Sequence, residues 1–375
     1  MHKFEEMFRE YKEVKHTISL SSCTAALHLS MIAIGIHPGD EVIVPTMTFA
    51  ATANAVIHAG GKPIFADCEK DTMNIDPQDI KRKITPRTKA IIPVHFAGRI
   101  CNMDEIMDIA KKYNLKVIED CAHSIEGEYH GRKAGTFGDL GAFSFYVTKN
   151  IVTAEGGMLI TNNEEYAEKI KLLALHGMSK DAWNRFGDKG YKHYSIVYAG
   201  FKYNMTDIQA SLGIYQLPRI DRYWNRRQEI WHKYNEAFKD IPMLTPISPE
   251  QHSRHAYHLY TLLLDLDRLN INRDQFLDEM TRRNIGVGVH YVALHLHPFY
   301  QQNFGYKRGQ FPNAEWISDR TVSLPLSAKL TDEDVTDVID AVMEIVKNNI
   351  KRTCSILKGK SLITVKKSQV TSTLY

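Results

Sequence analysis

The sequence predicts an α/β protein: a mostly parallel sheet between helices, with a smaller α+β portion after it. Two observations carry this. Short apolar runs alternate with helical patterns through the first half of the chain, and the runs lack polar alternation, as strands buried on both faces do. From Glu164 the pattern turns helical, and a second strand–helix set follows towards the C-terminus. At 375 residues the chain is long enough for a large core and two domains.

Taken in order, the charged N-terminus MHKFEEMFREYKEVKH is helical in pattern and lacks the apolar core of a secretion signal. EVIVP (41–45), PIFAD (63–67), AIIPVHF (90–96), KVIED (116–120), AFSFY (142–146) and GMLIT (157–161) read as strands. Helices are predicted over 24–34, 48–59, 76–84 and 103–113. Asp76-Pro77 is a start signal, a capping acceptor followed by a ring already fixed at helical φ. A polar, aromatic-rich loop is expected over 179–198, then one long helix over about 207–238. Beyond it, 255–266 reads as a strand, 272–283 as a helix, 286–292 as a strand and 332–348 as a final helix. The expected division is a large domain over 1–238, a small C-terminal domain over 239–350 and a poorly ordered basic tail over 351–375.

Composition narrows the function. A net charge of +3 is too small to argue for nucleic acid. No apolar run reaches the roughly 18 residues of a membrane span. Five dispersed cysteines without a CxxC pair fit a reducing cytoplasm and point away from disulfides and from a metal site. No G-x-G-x-x-G follows the first strand, which disfavours a nicotinamide enzyme, and neither G-x-S-x-G nor a P-loop motif occurs.

The informative residues stand just after strands. SSCTAALHL (21–29) opens a helix with small residues, which suits either a phosphate at the positive helix end or a plain cap. Asp120 ends a buried strand, which is costly unless it pairs with a cation; an ordinary salt bridge would serve as well as catalysis. In FSFYVTKNIVTAEGG (143–157) an apolar run stops at Lys149, with glycines close behind. Together these suit pyridoxal phosphate. A lysine amine forms the Schiff base, an aspartate keeps the pyridine nitrogen protonated, and a helix start holds the phosphate. Burial and nearby positive charge would lower the amine's pKa, as a nucleophile requires.

SSCTAALHL, GDEVIVPTMTFAATANAV, IEDCAHS, GAFSFYVTKNIVTAEGGMLIT and GFKYNMTDIQA occur in that order within about residues 10–345. On these stretches the chain resembles the DegT/DnrJ/EryC1/StrS sugar aminotransferases, fold type I enzymes with a large domain and a smaller C-terminal one. ITPRTKAIIPVHFAG, RHAYHLY, NIGVGVHY and SLPL resemble the branch that makes UDP-4-amino-4-deoxy-L-arabinose. The resemblance implies Lys149 as the catalytic Schiff-base lysine, Asp120 at the pyridine nitrogen, His123 at the ring hydroxyl and Phe49 stacked on the ring. It implies Thr24, Ala25 and Ser144 at the phosphate, with Asn204 reaching it from a neighbouring subunit, hence a homodimer with shared active sites. Trp183, Arg185 and His295 are weaker candidates for substrate contact.

The implied reaction is cytoplasmic. It moves an amino group from L-glutamate, which leaves as 2-oxoglutarate, to a keto carbon, C4, of a nucleotide-linked sugar for surface polysaccharide, lipopolysaccharide or glycan synthesis. Lysine rather than histidine at 149 favours transamination over sugar dehydration. The alternatives are a pyridoxal phosphate-dependent dehydratase or lyase and a non-catalytic or truncated family member. Three departures stand out. Cys23 replaces a glycine, Val292 stands where the arabinose branch has arginine, and the resemblance leads one to expect a further segment ahead of residue 1.

Overall fold

The computed structural model describes residues 1–179 and 194–351. Trp183, Arg185 and the tail beyond 351 lie outside them. The central sheet is built from β1 (His16–Leu20), β2 (Glu41–Pro45), β3 (Lys62–Ala66), β4 (Thr88–Ile91) and β5 (Lys116–Asp120). After a short hairpin, β6 (Glu128–Tyr129) and β7 (Arg132–Lys133), it gains β8 (Leu140–Ser144) and β9 (Gly157–Thr161). Strand order is β1-β9-β8-β5-β4-β2-β3, and β9 alone runs antiparallel to its neighbours.

Helices α1 (His2–Lys12), α2 (Cys23–Ala33), α3 (Ala50–His58), α4 (Pro77–Lys83), α5 (Met103–Tyr113), α6 (Glu164–Ala174), α7 (Asp207–Gln216) and α8 (Ile220–Phe238) complete this part. Side-chain oxygens of Ser22, Asp76, Asn102, Asn163 and Thr206 cap α2, α4, α5, α6 and α7, satisfying backbone donors that a helix start leaves open. Alternate residues of β2 serve opposite layers. Val42 and Val44 pack with Leu27, Met31 and Val56, whereas Ile43 packs with Phe4, Phe8 and Ile106. Burial on both faces is why these strands read as unbroken apolar runs.

The C-terminal part adds β10 (Met243–Leu244), β11 (Tyr260–Leu264), α9 (Arg273–Arg282), α10 (Pro298–Phe304), α11 (Pro312–Ser318), β12 (Thr321–Leu324) and α12 (Asp332–Asn349). Its three strands form an antiparallel sheet, β10-β11-β12. Trp231, Tyr234 and Phe238 of α8 pack in its core with Tyr260, Phe276 and Val342. The later turns of α8 therefore belong with the small sheet.

Four expectations are corrected. The single helix over 207–238 is two, separated by a 3₁₀ turn at Leu217–Arg219. Pro218 lacks the N–H that would continue the ladder and its ring crowds the preceding turn. The strand over 286–292 reduces to one bridge, where Gly288 and Ser323 exchange backbone bonds of 3.0 and 2.8 Å. Two glycines there give a ladder nothing to pack. The strand over 255–266 is confined to β11, because the backbone N–H groups of Ala256 and His258 donate instead to Gly98 and Ala97. β4 stops at Ile91, two residues before Pro93, which has no N–H to give a central strand.

Candidate active site

β5 and β8 are neighbours, with Asp120 opposite Ala142. Their carboxyl ends open onto a cavity of about 640 Å³, where ligands sit in sheets of this kind. The cavity is lined by the starts of α2 and α3, by Asp120, His123, Ser144 and Lys149, and by His290 and Tyr291 from the C-terminal part. A larger cleft of about 800 Å³ lies along α1 and β1, but it holds neither Lys149 nor Asp120.

Asp120 is buried. One oxygen accepts from Thr52 Oγ1 at 2.9 Å and the other from the Ala122 N–H at 3.1 Å. Thr52 is itself bonded to Thr48 Oγ1 at 2.9 Å, which fixes its hydroxyl. Burial pushes the Asp120 carboxyl up, against the pull of Thr52, Ala122, Lys149 and His95. Lys149 is partly buried, and its backbone N–H closes a turn onto Tyr146 O at 2.8 Å. Burial lowers its amine, while Asp120 pulls it up. No acceptor among the described residues bonds its Nζ.

His123 is buried and held on both nitrogens. The Ala97 N–H donates to Nδ1 at 3.3 Å, which assigns the ring proton to Nε2, and Nε2 lies 3.2 Å from the Tyr291 hydroxyl. Burial, with Lys149 and His290 nearby, holds the ring well below its ordinary pKa and therefore neutral. His290 is anchored through Nδ1 to Ser323 Oγ at 2.8 Å and is pushed down to about 4 by burial and Lys149.

Phe49, just before α3, leaves 63% of its surface open on the cavity wall, a large exposure for a phenyl ring. Thr24 and Ser144 bring hydroxyls to the same wall. Ala25 is one step further in, and its N–H donates to Ser22 Oγ at 3.1 Å. Cys23 is buried at the cavity edge, where burial and Asp120 keep its thiol well above the ordinary value and neutral. Gly157 is where β9 meets this helix start: a Cβ there would lie 2.3 Å from the carbonyl carbon of Ser22.

Two candidates lie elsewhere. Asn204 lines the larger cleft, and its buried Oδ1 has no partner among the described residues. His295 does not reach the cavity: it is fully buried, with Thr46 Oγ1 2.8 Å from Nδ1 and Glu315 Oε1 3.0 Å from Nε2, so both ring nitrogens are occupied. Thr52, His290 and Tyr291 were missed. His290 and Tyr291 close the stretch NIGVGVHY, whose position beside the sheet follows only from the Gly288–Ser323 bridge. His95, Glu119 and Cys121 cluster tightly enough for a metal, but Glu119 is committed to His95 and to the N–H groups of Gly135, Phe137 and Gly138.

An amine with no competing acceptor, a buried carboxylate, a neutral histidine, an open aromatic face and hydroxyls at a helix start form one donor set. It fits a flat, phosphate-bearing aromatic aldehyde with a basic ring nitrogen. Comparison with known proteins agrees. The protein MJ1066 of Methanocaldococcus jannaschii is 55% identical over 347 residues, 92% of this chain and 90% of the relative. The spore coat polysaccharide biosynthesis protein SpsC of Bacillus subtilis is 48% identical over 92% of this chain and 89% of its own. Spr1654 of Streptococcus pneumoniae, named as a sugar aminotransferase, superposes in its PMP form with TM-score 0.87 at 32% identity, covering 92% of each chain. Its PLP form gives 0.85 at 31%, over 92% of this chain and 90% of its own. The DegT/DnrJ/EryC1/StrS aminotransferase family model matches residues 1–343, and the chain is thus a member of that family, with the type I fold and pyridoxal phosphate as cofactor.

Proposed function

We propose that the protein is a working transaminase that moves an amino group from L-glutamate to a keto carbon, C4, of a nucleotide-linked sugar. One observation carries the reading: Lys149 and Asp120 face one cavity from adjoining strand ends, and Lys149 Nζ has no acceptor among the described residues. When bound, pyridoxal phosphate supplies an electron sink beside the carbon that loses its proton. The chain's own residues do the rest.

Lys149 anchors the cofactor and, once free, carries a proton on Nζ. Its lowered pKa enlarges the neutral fraction that both tasks need. Asp120 is costly as a lone buried charge and becomes favourable beside a ring N–H⁺. Neutral His123 would present Nε2–H to a ring oxygen in place of its present partner, the Tyr291 hydroxyl. Thr24, Ser144 and the α2 N-terminus hold phosphate, and Phe49 offers its face for stacking.

The family and SpsC's role in polysaccharide biosynthesis support a sugar acceptor. The nucleotide, C4 and L-glutamate rest on the motif resemblance. A homodimer is supported by Ile208, Leu212 and Tyr215, an exposed apolar stripe on α7 at helical spacing, and by the Asn204 oxygen in the same region of the chain, which has no partner among the described residues. Its contribution there would be to the partner's cavity, since it does not line its own. Cytoplasmic residence is supported by four buried free cysteines. No helix among the described residues is long and apolar enough to cross a membrane.

The test is incubation of the holoenzyme with ¹⁵N-glutamate and a panel of UDP-, GDP- and dTDP-linked 3-keto and 4-keto sugars, read by mass spectrometry. The reading predicts one ¹⁵N-amino sugar from a 4-keto substrate for each 2-oxoglutarate formed. Label on 3-keto sugars only would overturn C4, and no labelled sugar from any substrate would overturn the sugar transaminase.

A further inference from the structure

The residue after Lys149 is tied to a buried carboxylate. Asn150 is buried, and its Nδ2 donates to both oxygens of Glu126, at 2.9 and 2.8 Å, and to Ala256 O at 2.9 Å. Its Oδ1 lies 3.0 Å from His258 Nδ1, which therefore carries the ring proton. The His258 ring lies 4.4 Å from the His123 ring, the two inclined at 32°. Ala97 touches both residues, its N–H donating to His123 Nδ1 and its carbonyl accepting the His258 backbone N–H at 3.1 Å.

Glu126 is an expensive way to hold an amide. It is buried, and no cation lies within ion-pairing distance of it among the described residues. The charged and titratable groups that face it are Lys12 and Tyr11 on α1 and Arg227 on α8. Lys12 donates its amine to the carbonyls of Ile125 and Ala134, and the Arg227 Nε has no partner among the described residues. Burial pushes Glu126 up to about 7, against Arg227, Asn150 and Lys12. A buried carboxylate without a cation costs more than an apolar residue of the same size, unless its geometry is needed.

We infer that Glu126 is a positioning residue for Lys149 and His123, acting through Asn150 and His258. Fixing the Asn150 side chain fixes the backbone next to Lys149 and limits where Nζ can swing. Fixing His258 supports the back of the His123 ring. The inference rests on the proposed role of Lys149, and nothing in the family's motif pattern assigns Glu126 or His258 such a part.

The experiment uses the pyridoxal phosphate-loaded protein, with Glu126→Gln and Asn150→Ala made singly and together. It reads the pH midpoint of the visible cofactor–lysine band, the cofactor Kd, and the pre-steady-state rate with L-glutamate. In Glu126→Gln the midpoint is expected to fall by about half a unit as a negative charge and a restraint are lost. The rate is expected to fall roughly tenfold at an unchanged half-saturating glutamate concentration, the signature of lost alignment. Asn150→Ala should lower the rate likewise, and the double variant should add little to that loss, because the two hold the backbone as one unit. Midpoint and rate at wild-type values in both single variants overturn the inference, whatever happens to thermal stability. If Glu126→Gln does not fold, Asn150→Ala decides alone. A wild-type protein without any visible band is a different result, since it removes the proposed function and the inference with it.

Discussion

Asp120 and Lys149 reach one cavity from neighbouring parallel strands: Asp120 ends β5, and the turn that leaves β8 returns Lys149 to the same opening. Each shifts the other's titration. The amine draws the carboxyl down and the carboxyl draws the amine up, both against burial.

Lys149→Ala removes the anchor and the proton carrier together. The rate with L-glutamate should fall by about 10³-fold or more, within the range for loss of a general acid–base group that is also the nucleophile. Circular dichroism should match wild type, because no described side chain depends on Nζ. A loss below tenfold would contradict its role.

Asp120→Asn keeps the bonds from Thr52 and Ala122 only in part and removes the charge. The rate should fall by about 10²-fold or more as the ring nitrogen loses its counter-charge. Stability of the cofactor-free protein should move the other way. Asp120's folded pKa lies above its unfolded value, so the native state holds the extra proton between the two, and stability is lost as pH rises through that window. Asparagine does not titrate, so the variant should unfold at a higher temperature than wild type at neutral pH. A lower melting temperature would contradict the buried-charge account.

Glu126 gives a second pH signature. Its folded pKa of about 7 exceeds the ordinary glutamate value of 4.5, so its contribution is intact below 4.5 and declines up to about 7. The decline is on the order of 3 kcal/mol, an upper bound for a group that relaxes on ionising. Urea melts of cofactor-free wild type and Glu126→Gln at pH 5 and pH 8 should show the variant gaining relative stability at pH 8. Parallel pH profiles would show that Glu126 keeps its ordinary pKa.

Gly157→Ala inserts a methyl 2.3 Å from the Ser22 carbonyl carbon and 2.6 Å from the Cys23 nitrogen. Backbone must shift at the start of α2, beside the hydroxyl of Thr24. Overpacking of this kind costs about 1–3 kcal/mol. Cofactor affinity should fall with it, by roughly tenfold. Equilibrium dialysis checks this, and wild-type affinity would show that the α2 start does not hold the phosphate.

Much of this was legible in the sequence because strand ends are local features. KVIED and FSFYVTK show where apolar runs stop and what stands there, and the sheet brings those ends together. What was not legible depends on the path of the chain in space. β1 has a histidine and a threonine before its apolar residues, and only its pairing with β9 makes it a strand. His295 and His290 look alike in sequence, yet Glu315 and Thr46 enclose the first while the second faces the cavity. Glu126, Asn150 and His258 lie far apart in the chain, so no local pattern announces their contact. The break at Pro218 is different: a proline within the predicted helix was visible and outweighs the helical pattern around it.

The central claim is that Lys149 is the residue that holds the cofactor. It is tested most directly by reducing the pyridoxal phosphate-loaded protein with borohydride, digesting it and sequencing the labelled peptide by mass spectrometry. The account predicts one pyridoxyl group per chain, on Lys149, and none in Lys149→Ala. A label on another lysine, or a Lys149 peptide that stays unmodified at saturating cofactor, would contradict it.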